Sequence, residues 1–379
     1  MKNLYKVDFE HVDVLIIDES GSEWIRHCIP SCYSVGVLKI RGVVPYFRKM
    51  SFYLFLFKRV VKLGIKYKAL ISAIIDESKP RVIITFLDND RLIGELGEIF
   101  PEKMVIAVQN GMRNSGPYDC VKNWNSAYRY PLFFGFGDFE HELMISKGVR
   151  LKKYYSAGSL KMGLFLSKYS QKSDELNKYK DVCFISQYRR SWQLSDSVAD
   201  CLYSKMGNDI FINAVSWAER KQYKLSVAMR FGRNEKDYDH ELRYYQNYID
   251  CKNVIFHANK LKQMDSYQVG FDSQAIVAIF TSLSYELFGC GKKVLFCGCA
   301  NHDFTKTWGL ERNFKRMPEC VLLNDLTQKS FNTKMDALLR MDNEEYLSLT
   351  EDARSYYMNC NKPYAHELIS ERINDFCER

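Results

Sequence analysis

The stretch Ile276–Cys297, IVAIFTSLSYELFGCGKKVLFC, decides the reading of the fold. Ala275 to Phe280 is an apolar run of the length of a buried strand. It stops at Thr281-Ser282-Leu283-Ser284, where small hydroxyl residues suit a helix start. Tyr285-Glu286-Leu287-Phe288 reads as one or two helical turns, Gly289 and Gly291 end it, and Lys293 to Phe296 is the next strand. Strand, loop, short helix and strand in that order make one step of a parallel α/β sheet. Such sheets bind ligands at the carboxyl ends of their strands, where a helix N-terminus offers free N–H groups to a phosphate. On this reading Thr281, Ser282, Leu283 and Ser284 meet phosphate and Glu286 accepts from ribose hydroxyls. The competing reading is an ordinary N-cap followed by a structural glutamate.

Outward from this stretch the same pattern continues. Asp181–Gln187, Tyr223–Met229 and Asn253–His257 read as strands, with helices over Ser195–Met206, from Ser216 to Gln222 and over Glu235–Ile249. Ser266–Gly270 reads as a turn or short helix, and the chain closes with helices over Thr327–Met341, Asn343–Asn359 and Ala365–Arg379. Two of the strand exits are polar. Gln187 stands where it would line the same pocket, and Arg230 or Arg233 would supply a cation. His302 and Asp303, beyond the Lys293–Phe296 strand, are either further donor contacts or surface residues.

The first half repeats the architecture. Val12–Ile17, Ser34–Ile40, Arg81–Leu87, Met104–Val108, Phe133–Gly137 and Tyr154–Gly158 read as strands, and Leu92–Phe100 and the segment from Asp138 to Lys147 as helices. Pro45–Ile75 reads as mostly helical, with aromatic and basic residues interleaved. It is either a core helix with a solvated basic face or a membrane-surface helix. The expected fold class is α/β, with two Rossmann-like domains facing each other across a cleft. Residues 1–160 form the first domain, 161–180 a polar linker, 181–350 the second domain, and 351–379 helices that return to the first.

Bulk properties narrow the function. A chain of 379 residues with 46% hydrophobic and 26% charged residues is globular and long enough for two domains. A net charge of +8 suits an anionic ligand or an anionic membrane face and falls short of the dense patch of a nucleic-acid binder. The twelve cysteines are scattered, without a C-x-x-C pair, as in a reduced cytoplasmic protein. Cys297, Cys299 and His302 alone make a poor zinc set, and no metal is expected. Met1–Glu10 lacks the apolar core of a secretory leader, and Phe52–Phe57 is too short to span a bilayer.

The run Val82–Asn114, VIITFLDNDRLIGELGEIFPEKMVIAVQNGMRN, holds a strand ending in Asp88-Asn89, a helix, and a strand ending in Gln109-Asn110-Gly111-Met112-Arg113. With the later Phe280–Phe296, it resembles the bacterial surface carbohydrate biosynthesis proteins of O-antigen and capsule loci. These are GT-B-type glycosyltransferases, distantly like the transferases that use CMP-activated 3-deoxy-octulosonate. The resemblance covers about residues 12–300. It implies cytoplasmic transfer of a sugar, CMP-linked in those relatives, from a nucleotide-activated donor to a lipid-linked or oligosaccharide acceptor. No cofactor and no nucleic-acid partner are implied. Gln187, Arg230, Thr281, Ser282, Leu283, Ser284 and Glu286 would bind the donor; Asn89, Gln109, Gly111 and Arg113 would face the acceptor. In the CMP-using relatives an acid occupies the position of Asn110, and an amide cannot be a nucleophile or base. The acid chemistry then moves to Asp88 or Asp90, with Asp18 and His141 next, or the mechanism differs. Alternatively Asp88-Asn89-Asp90 caps the following helix, Asn110-Gly111 is a plain turn and Arg113 is an ion-pair partner. A sugar-nucleotide 2-epimerase of the same fold, and a binding protein without catalysis, are the competing functions.

Overall fold

The computed structural model describes residues 3–116, 120–169, 181–249, 253–259 and 264–379. Two compact units result, each built on its own parallel sheet.

The first unit comprises Met1–Gly111, Asn123–Leu164 and Asn359–Arg379. Its strands are β1 (Asn3–Lys6), β2 (Val14–Ile17), β3 (Val35–Leu38), β4 (Val43–Tyr46), β5 (Val82–Thr85), β6 (Met104–Val108), β7 (Arg129–Tyr130), β8 (Leu132–Gly135), β9 (Arg150–Leu151) and β10 (Tyr154–Ser156). Six of them form a parallel sheet in the order β10-β8-β6-β5-β2-β3. VLII, VIIT and the VIAV of β6 are buried on both faces, which is why these strands read as continuous apolar runs instead of alternating ones.

Pro45 and Tyr46, expected in a helix, lie instead in β4, which pairs in parallel with β1. A two-stranded ribbon tolerates a proline that a central strand would not. The rest of that segment is two helices, Met50–Leu63 and Tyr67–Ser78, parted by Gly64 at φ 78°. Most L-residues would be strained there.

The second unit comprises Met112–Lys122 and Phe165–Met358. Strands β11 (Asp181–Ile185), β12 (Lys224–Ala228), β13 (Val254–His257), β14 (Ala275–Ala278) and β15 (Lys293–Phe296) form a parallel sheet ordered β13-β12-β11-β14-β15. The two helices expected over Ser195–Met206 and Ser216–Gln222 are parts of one, Val198–Lys221. Between the two, Ile210, Phe211 and Ala214 join Trp217 and Ala218 in one buried stripe that carries the helix straight through.

The linker expected over 161–180 begins as the helix Leu160–Tyr169, because Leu160, Met162, Leu164, Phe165 and Tyr169 are buried; residues 170–180 lie outside the described residues. The expected return of 351–379 to the first domain is divided. Residues up to Met358 belong to the second unit, where buried Tyr357 packs edge-on to Tyr285, with ring centroids 5.7 Å apart. Helix Ala365–Cys377 belongs to the first unit, and Arg81 binds the carbonyls of Phe376 (3.2 Å) and Cys377 at its end. Among the described residues no helix is long and apolar enough to cross a membrane.

Candidate functional site

In the second sheet the strand order runs outward from β11 in one direction to β12 and in the other to β14. The loops leaving β11 and β14 therefore diverge, and their carboxyl ends bound a crevice of the kind in which open α/β sheets bind ligands. A pocket of about 420 Å³ lies there, within the second unit.

Gln187 spans the divergence. Its amide nitrogen donates to the Phe280 carbonyl, and its amide oxygen accepts from the Phe280 N–H at 3.2 Å and from the Tyr203 hydroxyl. The side chain lines the pocket as expected, but its polar atoms hold the two loops in register.

The Ser282–Gly289 helix starts at the next residues of the β14 loop. Thr281 accepts from the Ser284 N–H (3.1 Å), while the Ser284 hydroxyl accepts from the Thr281 N–H (3.2 Å) and donates to the Thr281 carbonyl (2.7 Å). This reciprocal capping box engages two of the three hydroxyls that the sequence offered to phosphate, those of Thr281 and Ser284. Ser282 Oγ accepts from the Met112 N–H at 2.8 Å, which leaves its proton to donate. The N–H groups of Ser282 and Leu283 are the first in the helix and have no intrahelical acceptor.

Glu286, expected at the ribose, has a structural partner in the same unit. It is buried, and its Oε2 accepts from the Tyr267 hydroxyl at 2.8 Å. Burial, then the Glu286 charge, raises the Tyr267 phenol well above its ordinary range. This carboxylate braces the helix against Asp265–Asp272; one oxygen is already committed before any ribose arrives.

Cations come from two loops. Arg189 lines the pocket, with its guanidinium stacked 4.4 Å from the Trp192 ring centroid. Desolvation, and after it the neighbouring Arg230, lowers the Arg189 pKa. Neither arginine has a carboxylate ion pair among the described residues. Arg230 follows β12, and its loop is pinned by Glu241, a wholly buried carboxylate. Glu241 accepts from the N–H groups of Arg230 (2.9 Å) and Phe231 (3.0 Å) and from the Ser186 hydroxyl. Burial pushes its carboxyl up, opposed by these donors and by the Arg230 charge. Arg233 instead lines a separate concavity of about 450 Å³ with His257 and Asp265.

The remaining wall is aromatic. Trp192 lies 4.3 Å from Tyr203 and 5.3 Å from Trp308 between ring centroids, and Asp200 supplies the one carboxylate lining the pocket among the described residues. Sequence reading missed Arg189, Asp200 and these rings. Arg189 stood in the β11 exit, two residues past Gln187, and that position was its only signal.

The candidates of the first unit are placed differently. Asp90 accepts from the Leu92 N–H at 2.8 Å and caps Arg91–Ile99, with Asn89 beside it in the loop. Asp88 is fully buried, and its carbonyl accepts from the Tyr130 hydroxyl at 2.7 Å. Asn110 donates to the Phe86 carbonyl (2.9 Å). Buried Gln109 donates to the Gly111 carbonyl (3.0 Å) and accepts from the Phe136 N–H (2.8 Å). These amides tie the exits of β5, β6 and β8 together. Asp18 pairs with Arg41 at 2.6 Å, and the His141 ring lies against Tyr154. Arg113, expected on the acceptor side, is a buried residue of the second unit, where its carbonyl accepts from Asn313 at 2.7 Å. His302 and Asp303 are exposed at a helix start capped by Asn301. Among the described residues no group of three His, Cys, Asp or Glu side chains is arranged to hold a metal.

Residues 106–359 match the family described as "putative O-antigen biosynthesis protein". The chain belongs to this family. No curated protein matches it. Among solved structures it is similar to the UDP-GlcNAc 2-epimerase of Neisseria meningitidis bound to UDP-GlcNAc. That pair shares 12% identity over 96% of this chain and 99% of the other, with a TM-score of 0.53. The wall teichoic acid polymerase TagF matches at 10% identity over 97% and 90% of the two chains, with a TM-score of 0.53. The UDP-GlcNAc 2-epimerase of Methanocaldococcus jannaschii, in complex with UDP-GlcNAc and UDP, matches at 9% over 96% and 98%, with a TM-score of 0.52. At these identities the likeness is one of fold. The family member has the twin Rossmann-like, GT-B-type architecture.

Proposed function

We propose that this O-antigen family protein is a glycosyltransferase that takes a sugar from a nucleotide-activated donor to a surface-glycan precursor. The observation that carries this reading is the pocket between the β11 and β14 exits. Arg189 and Ser282 both line it, and Arg230 lies near enough to Arg189 for the two charges to act on each other. Neither arginine has a carboxylate ion pair among the described residues, and the N–H groups of Ser282 and Leu283 have no acceptor within their helix.

Transfer breaks the bond between the anomeric carbon and the donor phosphate oxygen and forms one to an acceptor oxygen. The electron pair of the broken bond leaves as phosphate charge. Fixed cations and helix-start N–H groups stabilise that charge without a metal. A pair of arginines suits the diphosphate of a nucleoside diphosphate better than the single phosphate of CMP. The acceptor hydroxyl loses its proton to a base. Asp200 takes this role in our reading, in place of Asp88, which is buried, and Asp90, which caps a helix. Asp200→Asn should then lower turnover about a hundredfold or more while leaving nucleotide affinity in place. Unchanged turnover would remove Asp200 from the reaction.

The second reading, a sugar-nucleotide 2-epimerase, is favoured by the fold likeness to two such enzymes. Product analysis separates the two. The protein is incubated with sugar nucleotides, with and without a lipid-linked glycan acceptor. Acceptor-dependent release of nucleotide supports transfer. An acceptor-independent change at C2, with incorporation of solvent deuterium, supports epimerisation and would overturn the transferase reading.

A further inference from the structure

Helix Met50–Leu63 turns an apolar stripe to solvent. Met50, Tyr53, Leu54, Phe57 and Val61 follow one another at helical spacing and lie within a stripe about 100° wide. Phe57 is 69% exposed and Val61 71%, and Ile65, just past the helix in the Gly64 turn, is 94% exposed. Isolated exposed apolar residues are ordinary, but a contiguous row of them marks an interaction surface. The opposite side of the helix satisfies the core: Phe52 is buried, and Arg59 pairs with Asp76 at 2.6 Å.

The charge around the stripe has one sign. From Gly42 to Ile75 the sequence holds seven basic residues (Arg48, Lys49, Lys58, Arg59, Lys62, Lys66, Lys68) and no acidic one. Lys49, Arg59 and Lys68 are paired with Glu10, Asp76 and Glu95. Arg48, Lys58, Lys62 and Lys66 have no ion pair among the described residues and are exposed.

We propose that this helix and the turn after it seat the protein on an anionic lipid bilayer. The stripe enters the boundary between headgroups and acyl chains, and the four unpaired cations meet lipid phosphates. Charge complementarity chooses this occupant. The core of a protein interface is usually depleted of lysine, and a two-fold contact between copies would set Lys58 and Lys62 against their own equivalents with no acid to pair them. The inference is independent of the reaction assigned to the second unit.

The test is flotation of the full chain with vesicles of equal parts phosphatidylglycerol and phosphatidylcholine, against phosphatidylcholine alone. The expected result is binding at least about tenfold stronger to the anionic vesicles and weakened by salt. Leu54→Glu/Phe57→Glu should abolish it. Lys58→Glu/Lys62→Glu, a second variant that leaves the apolar stripe intact, should weaken it about tenfold or more. All four side chains point to solvent, so melting temperatures should not move. Failure of the parent to float with anionic vesicles would overturn the proposal, as would flotation of the parent that neither variant reduces. A dimer in solution that Leu54→Glu/Phe57→Glu dissociates, without lipid binding, would reassign the stripe to a contact between copies.

Discussion

Glu241 shows how much of the site depends on a residue that does not line its pocket. It gathers two backbone N–H groups of the Arg230 loop and the Ser186 hydroxyl of the β11 exit onto one buried carboxylate. Glu241→Ala strands these donors. It should cost about 3 kcal/mol of unfolding free energy in urea titration and weaken nucleotide affinity through the freed Arg230. Unchanged stability would mean that the loop has other anchors. Arg189 presents the opposite case, a charge held near a like charge. Arg189→Ala should weaken nucleotide binding about 10- to 100-fold with little effect on stability. Neither role was legible in the sequence. Glu241 stood in a charged helix with ordinary spacing, and only the fold brings it across 55 residues to Ser186. Asp90 was legible as a cap and as an acid alike, because the same residue type at the same spacing serves both. The structure selects the cap.

At the scale of elements the sequence was most readable where burial is two-sided. Met104–Val108 and Lys293–Phe296 match their apolar runs residue for residue. Legibility failed where tertiary contacts override local signals. Gly207 does not interrupt Val198–Lys221, and Pro45 enters a ribbon strand through pairing with a segment forty residues away. The Thr281–Ser284 start was legible as a helix, but the capping role of its hydroxyls was not separable from a phosphate-binding one, because a capping box with a hydroxyl residue at each end looks like a phosphate loop. Thr281→Val should cost about 1 kcal/mol and reduce nucleotide affinity less than Arg189→Ala does. The reverse order would return the hydroxyl to the ligand. Gly291, at φ 82°, closes the same helix, and a Cβ there would meet Leu347 at 2.7 Å. Gly291→Ala should lower the melting temperature, at a cost of about 1–2 kcal/mol.

For the whole molecule, acid sensitivity has a readable contribution. Burial lowers the His257 pKa below its ordinary 6.5, against the pull of Asp181 and Asp265, and its ring contacts Ser226 Oγ at 3.2 Å. With a depressed folded pKa, the unfolded chain binds the proton first. The contribution is present above about pH 6.5 and is lost as pH falls through the folded value. The stability of the parent relative to His257→Gln should therefore fall from pH 7 to pH 5. A flat difference would contradict the assignment.

The twin Rossmann-like architecture followed from alternating strands and helices. The division of labour within it did not, because Arg113 and Met112 belong by contact to the second unit while the rest of their motif belongs to the first. The central claim is that the β11–β14 crevice binds the phosphates of a nucleotide. Calorimetric titration with UDP, GDP, CDP, ADP and CMP in the presence of EDTA tests it most directly. The account predicts saturable binding of a nucleoside diphosphate that survives EDTA and is lost in Arg189→Ala/Arg230→Ala. Absence of binding by every nucleotide, or binding indifferent to both arginines, would contradict it.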